Sequence, residues 1–197
     1  MSFTLNEVFK NPKLFEYKIK FKEKNVTLRP LLATDVKLLT QFLLSLSKTT
    51  QESYILDSYD GKTASQMCED INRYDKLRFV GLIDEKIVGL FEFSMDLTKE
   101  DINRFNNYGI KLKQGEDCRF GPCISNNLQG TGIASILFPY IIKIAKILGQ
   151  KRIILWGGVF SDNNRAIKYY KRNGFKKVGE FINNDGRECM DMIFNIE

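Results

Sequence analysis

The order of elements in this 197-residue chain predicts an α/β (α+β) fold, with helices flanking a mixed, mostly antiparallel central sheet of about seven strands. Three observations predict it. Short strand-like runs alternate with segments of helical period along most of the length. One run, Cys118 to Ser125, passes through a glycine turn into a long amphipathic helix and on to the buried-type run Arg152 to Trp156, the pattern of a right-handed parallel crossover. Two further pairs of strands are joined by short hairpin signals, at Ile83-Asp84-Glu85 and Asn184-Asp185-Gly186.

Thr4-Leu5-Asn6-Glu7 has capping-box spacing and starts a short helix that ends before Pro12. Tyr17, Ile19 and Phe21 alternate with Lys18, Lys20 and Lys22, which reads as a half-buried extra edge strand. Residues 1–25 are therefore set apart as an N-terminal extension, and residues 26–197 as the main domain. Val26 to Pro30 is the first core strand. Thr34 or Asp35 caps the helix that follows, whose apolar face is Val36, Leu38, Leu39, Phe42, Leu43 and Leu46. A second helix is expected over Thr63 to Tyr74, with Met67 and Ile71 inward. Leu77 to Leu82 and Lys86 to Phe93 form a hairpin about Ile83-Asp84-Glu85.

Thr98 to Asp117 is a polar excursion with a helical turn expected at Lys99 to Phe105. Pro122 removes one ladder donor from the strand that follows, which argues for an edge or a bulge there. From Gly130 the helix carries Ile133, Ile136, Leu137, Tyr140, Ile141, Ile144 and Leu148 at three-four spacing, with a kink expected at Pro139 and a C-cap at Gly149. A further helix follows Asn163, and Lys176 to Phe181 pairs with Cys189 to Ile196 about Asn184-Asp185-Gly186.

Composition narrows the chemistry. A hydrophobic fraction of 43% with 27% charged residues suits one domain with its own core. There is no histidine, which excludes Ser-His-Asp and Cys-His machinery and the commonest zinc ligand. Cys68, Cys118, Cys123 and Cys189 have no metal-ligand spacing and read as reduced core thiols, so no metal is expected. No run approaches the roughly 18 apolar residues of a bilayer span, and no signal-peptide pattern opens the chain, so a cytoplasmic location and no membrane partner are expected. The net charge of +6 is dispersed and no nucleic-acid module accompanies it, so nucleic acid is not expected as a partner.

The most informative stretch is Ile124 to Ala134, where strand, glycine turn and helix follow one another. A helix start leaves backbone N–H groups unpaired and carries about half a positive charge, so it holds a phosphate without a basic side chain. Gly130 and Gly132 let such a ligand approach the backbone. The segment lacks the Lys-Ser/Thr of a P-loop and the third glycine of a dinucleotide fingerprint.

Gln129-x-x-Gly132-x-Ala134 resembles the pyrophosphate-binding element of the GNAT family of N-acetyltransferases. Asn163-x-x-Ala166-x-x-x-Tyr170-x-x-x-Gly174-Phe175 resembles a second element of the same family, in the right order and at the right separation. The resemblance covers about Val26 to Ile196. It implies that the parallel strand pair splays apart to admit the pantetheine arm of acetyl-CoA. It places the cofactor on Ile124, Gln129, Gly130, Thr131, Gly132, Ile133, Ala134, Asn163 and Tyr170. It gives Tyr170 the role of general acid toward the leaving thiolate, and the Ile124 N–H that of oxyanion donor.

In one branch of the family a glutamate serves as base at the position that is Arg119 here, so Glu92 on the neighbouring strand is the first substitute, with Glu116 and Asp117 behind it. Asn163 either contacts the cofactor or caps its own helix. The expected function is transfer of an acetyl group from acetyl-CoA to a primary amine, borne by a small molecule or a protein, with a homodimer allowed. The alternative is a catalytically inactive coenzyme A-binding module acting as sensor or scaffold.

Overall fold

The structure is a computed structural model that describes residues 4–72 and 75–196. Its centre is a nine-stranded sheet, two strands more than the seven expected, in the order β1-β2-β3-β4-β5-β6-β9-β7 with β8 on the other edge of β9. The strands are β1 Tyr17–Phe21, β2 Lys24–Pro30, β3 Lys76–Ile83, β4 Lys86–Ser94, β5 Asp117–Ile124, β6 Arg152–Leu155, β7 Val159–Phe160, β8 Lys176–Ile182 and β9 Glu188–Asn195. One addition is the edge strand β1, and the other is the two-residue β7. Every described pairing is antiparallel except β5 with β6.

Helices cover both faces of the sheet, as alternation along the strands requires. Helices α1 (Leu5–Lys10), α6 (Ile133–Ile147) and α7 (Asn164–Arg172) share one core with Phe79, Phe91, Phe93, Phe120, Ile153 and Leu155. On the opposite face α2 (Val36–Leu44) and α4 (Gly61–Glu69) bury Val80, Leu90 and Cys123, while α5 (Lys99–Asn107) covers Ile154 and Ile193. The N-terminal segment joins the first core through Val8, Phe15, Ile19 and Phe21. A short helix with no apolar period, α3 (Lys48–Ser53), is capped by Ser47 and was not expected. Among the described residues no helix is long and apolar enough to cross a membrane.

Local chemistry fixes most element ends. Asp60, not Thr63, caps α4, which passes at Asp70 into a 3-10 turn; Arg73 and Tyr74, the end of the expected helix, lie outside the described residues. Arg29 grips the buried Asp35 carboxylate with two bonds of 2.6 and 2.8 Å, and Asp35 also accepts the Leu32 N–H, tying the end of β2 to the start of α2. Gly149 and Gly174 have φ of 76° and 91° and close α6 and α7 with paired capping bonds, of which Gln150 N–H to Ala145 and Phe175 N–H to Tyr170 span the greater stretch of sequence. Helix α6 continues through Pro139, which leaves the Ser135 carbonyl without its usual intrahelical donor.

The register sets up the site. β5 and β6 run side by side from Asp117/Arg152 to Phe120/Leu155, and the Trp156 N–H makes a last bond to the Phe120 carbonyl at 3.0 Å. Gly157 and Gly158, at φ 72° and 73°, then turn the chain away, and β7 continues along β9 alone. β5 runs on to Ile124 paired only with β4. No register shift accompanies Pro122, so the proline marks a free edge and not a bulge.

Candidate functional site

The divergence of β5 and β6 opens a cleft of about 1390 Å³ that runs from the start of α6 across the sheet to the β8–β9 hairpin. Its two halves differ in chemistry.

At one end lies the N-terminus of α6. Side chains cap α1, α3, α4, α5 and α7, through Thr4, Ser47, Asp60, Thr98 and Asn163. Among the described α-helices α2 and α6 have no side-chain cap, and α6, the longest, has Gly132 at φ 96° as its N-cap. The Ile133 and Ala134 N–H groups have no acceptor within the helix, since Ser135 is the first to bond back to Gly132. Gly130, at φ 76°, and Gly132 have open space where a Cβ would stand. This is a cradle lined by backbone donors at the positive end of a helix dipole, and it suits a phosphate group. Arg165, Lys168 and Arg172 of α7 border the same cleft.

The turn is held by its own side chains. Gln129 donates to the Ile124 carbonyl at 2.8 Å and to the Thr50 hydroxyl at 3.0 Å, and Thr50 donates to Asn126 at 3.1 Å. The Thr131 hydroxyl is directed back to the Leu128 carbonyl at 2.7 Å. Gln129 and Thr131 thus spend their side chains on shaping the turn. Asn163 caps α7 by accepting from the Ala166 N–H at 3.1 Å, and it also borders the cleft.

The free edge of β5 follows from Pro122. It faces Phe91 in the β4 ladder, and having no N–H it occupies a pair that exchanges no hydrogen bonds. Phe120, Pro122 and Ile124 therefore direct their backbone polar groups toward β6, as the Trp156 to Phe120 bond attests. The Phe120 and Ile124 carbonyls are taken, which leaves the Pro122 carbonyl and the Ile124 N–H facing the gap.

Tyr170 lines the cleft from α7, only 8% exposed. Burial, with Cys123 as a smaller contribution, holds its phenol above the ordinary value. Its neighbour Tyr169 does not turn away from the cleft as adjacent helical positions suggest: it also lines it, although its hydroxyl is buried without a partner. Burial and Glu92 push the Cys123 thiol up to about 12.

Across the sheet, Glu92 is 5% exposed, accepts from the Tyr54 hydroxyl at 2.6 Å and from Arg78 Nε at 2.5 Å, and lines the other half of the cleft. Each carboxylate oxygen keeps a second lone pair. Burial, then Glu92, raises the Tyr54 phenol well above its usual range. Glu116 sits in surface pairs with Lys113 and Lys151, and Asp117 is consumed by Arg152, so neither reaches the cleft. Arg119 is buried beside Ser94 at 2.8 Å and over the Trp156 ring at 4.6 Å.

The cleft thus brings together the expected Ile124, Gln129, Gly130, Gly132, Ala134, Asn163, Tyr170 and Glu92, with Thr131 and Ile133 inside the same turn. Sequence reasoning missed Thr50, Tyr54, Arg78 and Trp156. Arg78 had a readable signal, being a cation set between apolar residues inside the strand.

Comparisons with known proteins agree on the fold. The model of the acetyltransferase (GNAT) family matches residues 43–175. Among solved structures, the GNAT domain of S. lividans PAT is similar with a TM-score of 0.70 and 18% identity, over 93% of this chain and 98% of that one. RimL, a ribosomal L7/L12 alpha-N-protein acetyltransferase in complex with coenzyme A, gives 0.69 and 16%, over 91% and 98%. A chimera of the Vibrio cholerae spermidine N-acetyltransferase SpeG gives 0.63 and 22%, over 86% and 95%. No curated protein matches.

Proposed function

Because this chain belongs to the acetyltransferase (GNAT) family, we propose that it moves an acetyl group from acetyl-CoA to a primary amine by direct transfer. The observation that carries the reading is the uncapped N-terminus of α6 standing beside the free edge of β5. The cradle fits a pyrophosphate, and the open edge offers one donor and one acceptor to an extended amide-bearing arm. RimL, one of the similar structures, was solved with coenzyme A bound.

In this reading acetyl-CoA is a substrate, held by the N–H groups of Gly130, Gly132, Ile133 and Ala134, in a turn that Gln129 and Thr131 shape, with Asn163 at the border of the cleft. The Ile124 N–H points to the thioester oxygen, where a preorganised donor is worth about 3 kcal/mol of barrier. The amine must arrive without its extra proton, and Glu92 accepts it on a free lone pair. The C–N bond forms as the C–S bond breaks, the electron pair leaves on sulfur, and the nitrogen sheds its second proton to solvent as it becomes an amide. Tyr170 gives that sulfur its proton and regains one from solvent. Its raised pKa keeps the phenol protonated, and the same burial that raises it also raises the proton affinity of a thiolate in the cleft.

A second reading, a coenzyme A-binding module without turnover, draws on Arg119 at the family's carboxylate position and on the pairing of Glu92 with Arg78. Thiol release from acetyl-CoA with a panel of primary amines separates the two. Binding with amine-dependent thiol release supports the transferase. Binding without release by any amine supports the module, and no binding at millimolar ligand removes both.

A further inference from the structure

The acceptor half of the cleft is built to a narrow width. Gly121 is paired with Glu92 across β4 and β5, and a Cβ there would stand 3.8 Å from the Tyr54 ring and 3.9 Å from the Cβ of Trp156. Tyr54 arrives from the β4 side, where it bonds Glu92, and Trp156 from the β6 side. At the depth of a would-be Cβ the space over Gly121 is therefore about one aliphatic carbon wide, with the Tyr54 ring on one flank, the base of the Trp156 side chain on the other and a carboxylate at its back. Two of the most exposed aliphatic side chains among the described residues, Ile55 at 66% and Ile182 at 69%, border the same cleft.

Charge is balanced in this half. Arg78 pairs with Glu92, and Arg104 pairs with Asp191 and Asp101. The other bordering carboxylates, Glu100 and Asp185, are exposed on separate elements, where solvent screens them. A polycation needs a cluster of unpaired anions, and these pairings do not supply one.

We infer that the acceptor is a primary monoamine on an unbranched aliphatic stem, which lies over Gly121 between Tyr54 and Trp156 and ends against Ile55 and Ile182. The inference rests on the transferase reading. The amino end faces Glu92, and the same stem is offered by a free alkylamine and by a lysyl side chain.

The test compares thiol release from acetyl-CoA with n-hexylamine, 2-aminohexane, spermidine and a short apolar lysyl peptide, alongside calorimetry with acetyl-CoA. Hexylamine or the peptide is expected to exceed both 2-aminohexane and spermidine by roughly tenfold or more, the effect of a shape mismatch in an apolar pocket. Whichever of the two is faster tells whether the stem is free or carried on polypeptide. Gly121→Ala raises the floor beneath the stem by a methyl that meets Tyr54 and Trp156 at ordinary contact distance, and is expected to raise the hexylamine KM about tenfold with acetyl-CoA affinity within about twofold. Ile182→Ser, at an exposed site, should weaken hexylamine and leave ethylamine unchanged. Spermidine preferred over hexylamine, an unchanged KM in both variants, or acetyl-CoA binding without turnover of any unbranched amine overturns the inference. Failure of acetyl-CoA to bind overturns instead the transferase reading beneath it.

Discussion

Gly132→Ala separates the strain of the α6 turn from its use as an anion cradle. Gly132 holds φ 96° with no atom within 4 Å of a would-be Cβ, so alanine meets no clash and is strained only through its backbone. A left-handed conformation costs a non-glycine residue about 1–2 kcal/mol. For a chain of this size that lowers Tm by roughly 2–8 °C. The new methyl also stands in the open face of the cradle and holds a phosphate away from the Ile133 and Ala134 donors. Loss of one hydrogen bond to a charged group costs about 1.5–3 kcal/mol, or roughly 10- to 150-fold in affinity. Gly115→Ala is the matched control: φ is 83°, the surrounding space is equally open, and it lies at the other end of β5. Thermal melts should show similar losses for both variants. Calorimetry should show weakened acetyl-CoA binding only for Gly132→Ala. Equal affinity in the two variants would refute the cradle.

Three further outcomes follow from the cleft. Tyr170→Phe removes a hydroxyl that makes no hydrogen bond among the described residues, so it should leave Tm and acetyl-CoA affinity unchanged while slowing turnover by about 10²- to 10⁴-fold; equal turnover removes Tyr170 from the acid role. Arg78→Met strands the buried Glu92 carboxylate and should cost about 3–5 kcal/mol in chemical denaturation, with Glu92→Gln in the same background restoring part of it; no restoration would show that the pair is not coupled. The Cys123 thiol, raised from 9.0 to about 12, stays protonated in the folded state, so its contribution is full below about pH 9 and is lost as pH rises toward 12. Cys123→Ala should flatten the alkaline fall in stability over that window, and an unchanged fall would show that other groups carry it.

The fold was legible where the chain's own chemistry sets it. Asp84 and Glu85, at φ 49° and 58°, make the hairpin turn expected about Ile83-Asp84-Glu85, with Ile83 inside the strand, and Gly149 and Gly174 end their helices by adopting positive φ. What escaped notice has no periodic signal. α3 is polar and held by Ser47 and Thr50, and β7 is two residues long between a glycine turn and α7. The Arg78–Glu92 pair depends on a bulge. Counting back from Ile83 opposite Lys86 puts Arg78 opposite Phe91, but the shift at Gly81/Leu82 leaves Val88 unpaired and brings Glu92 opposite instead. The donor side of the cleft was readable because glycines and a strand-to-helix turn lie close in sequence. The acceptor side is assembled from α3, β3, β5 and the end of β6, where only tertiary contact brings Tyr54, Gly121 and Trp156 together.

Calorimetric titration of acetyl-CoA into the intact protein tests the assignment of the α6 turn and the β5 edge most directly. A one-to-one complex, displaced by free coenzyme A and weakened by Gly132→Ala, is the predicted result. The absence of any complex at millimolar acetyl-CoA would contradict it.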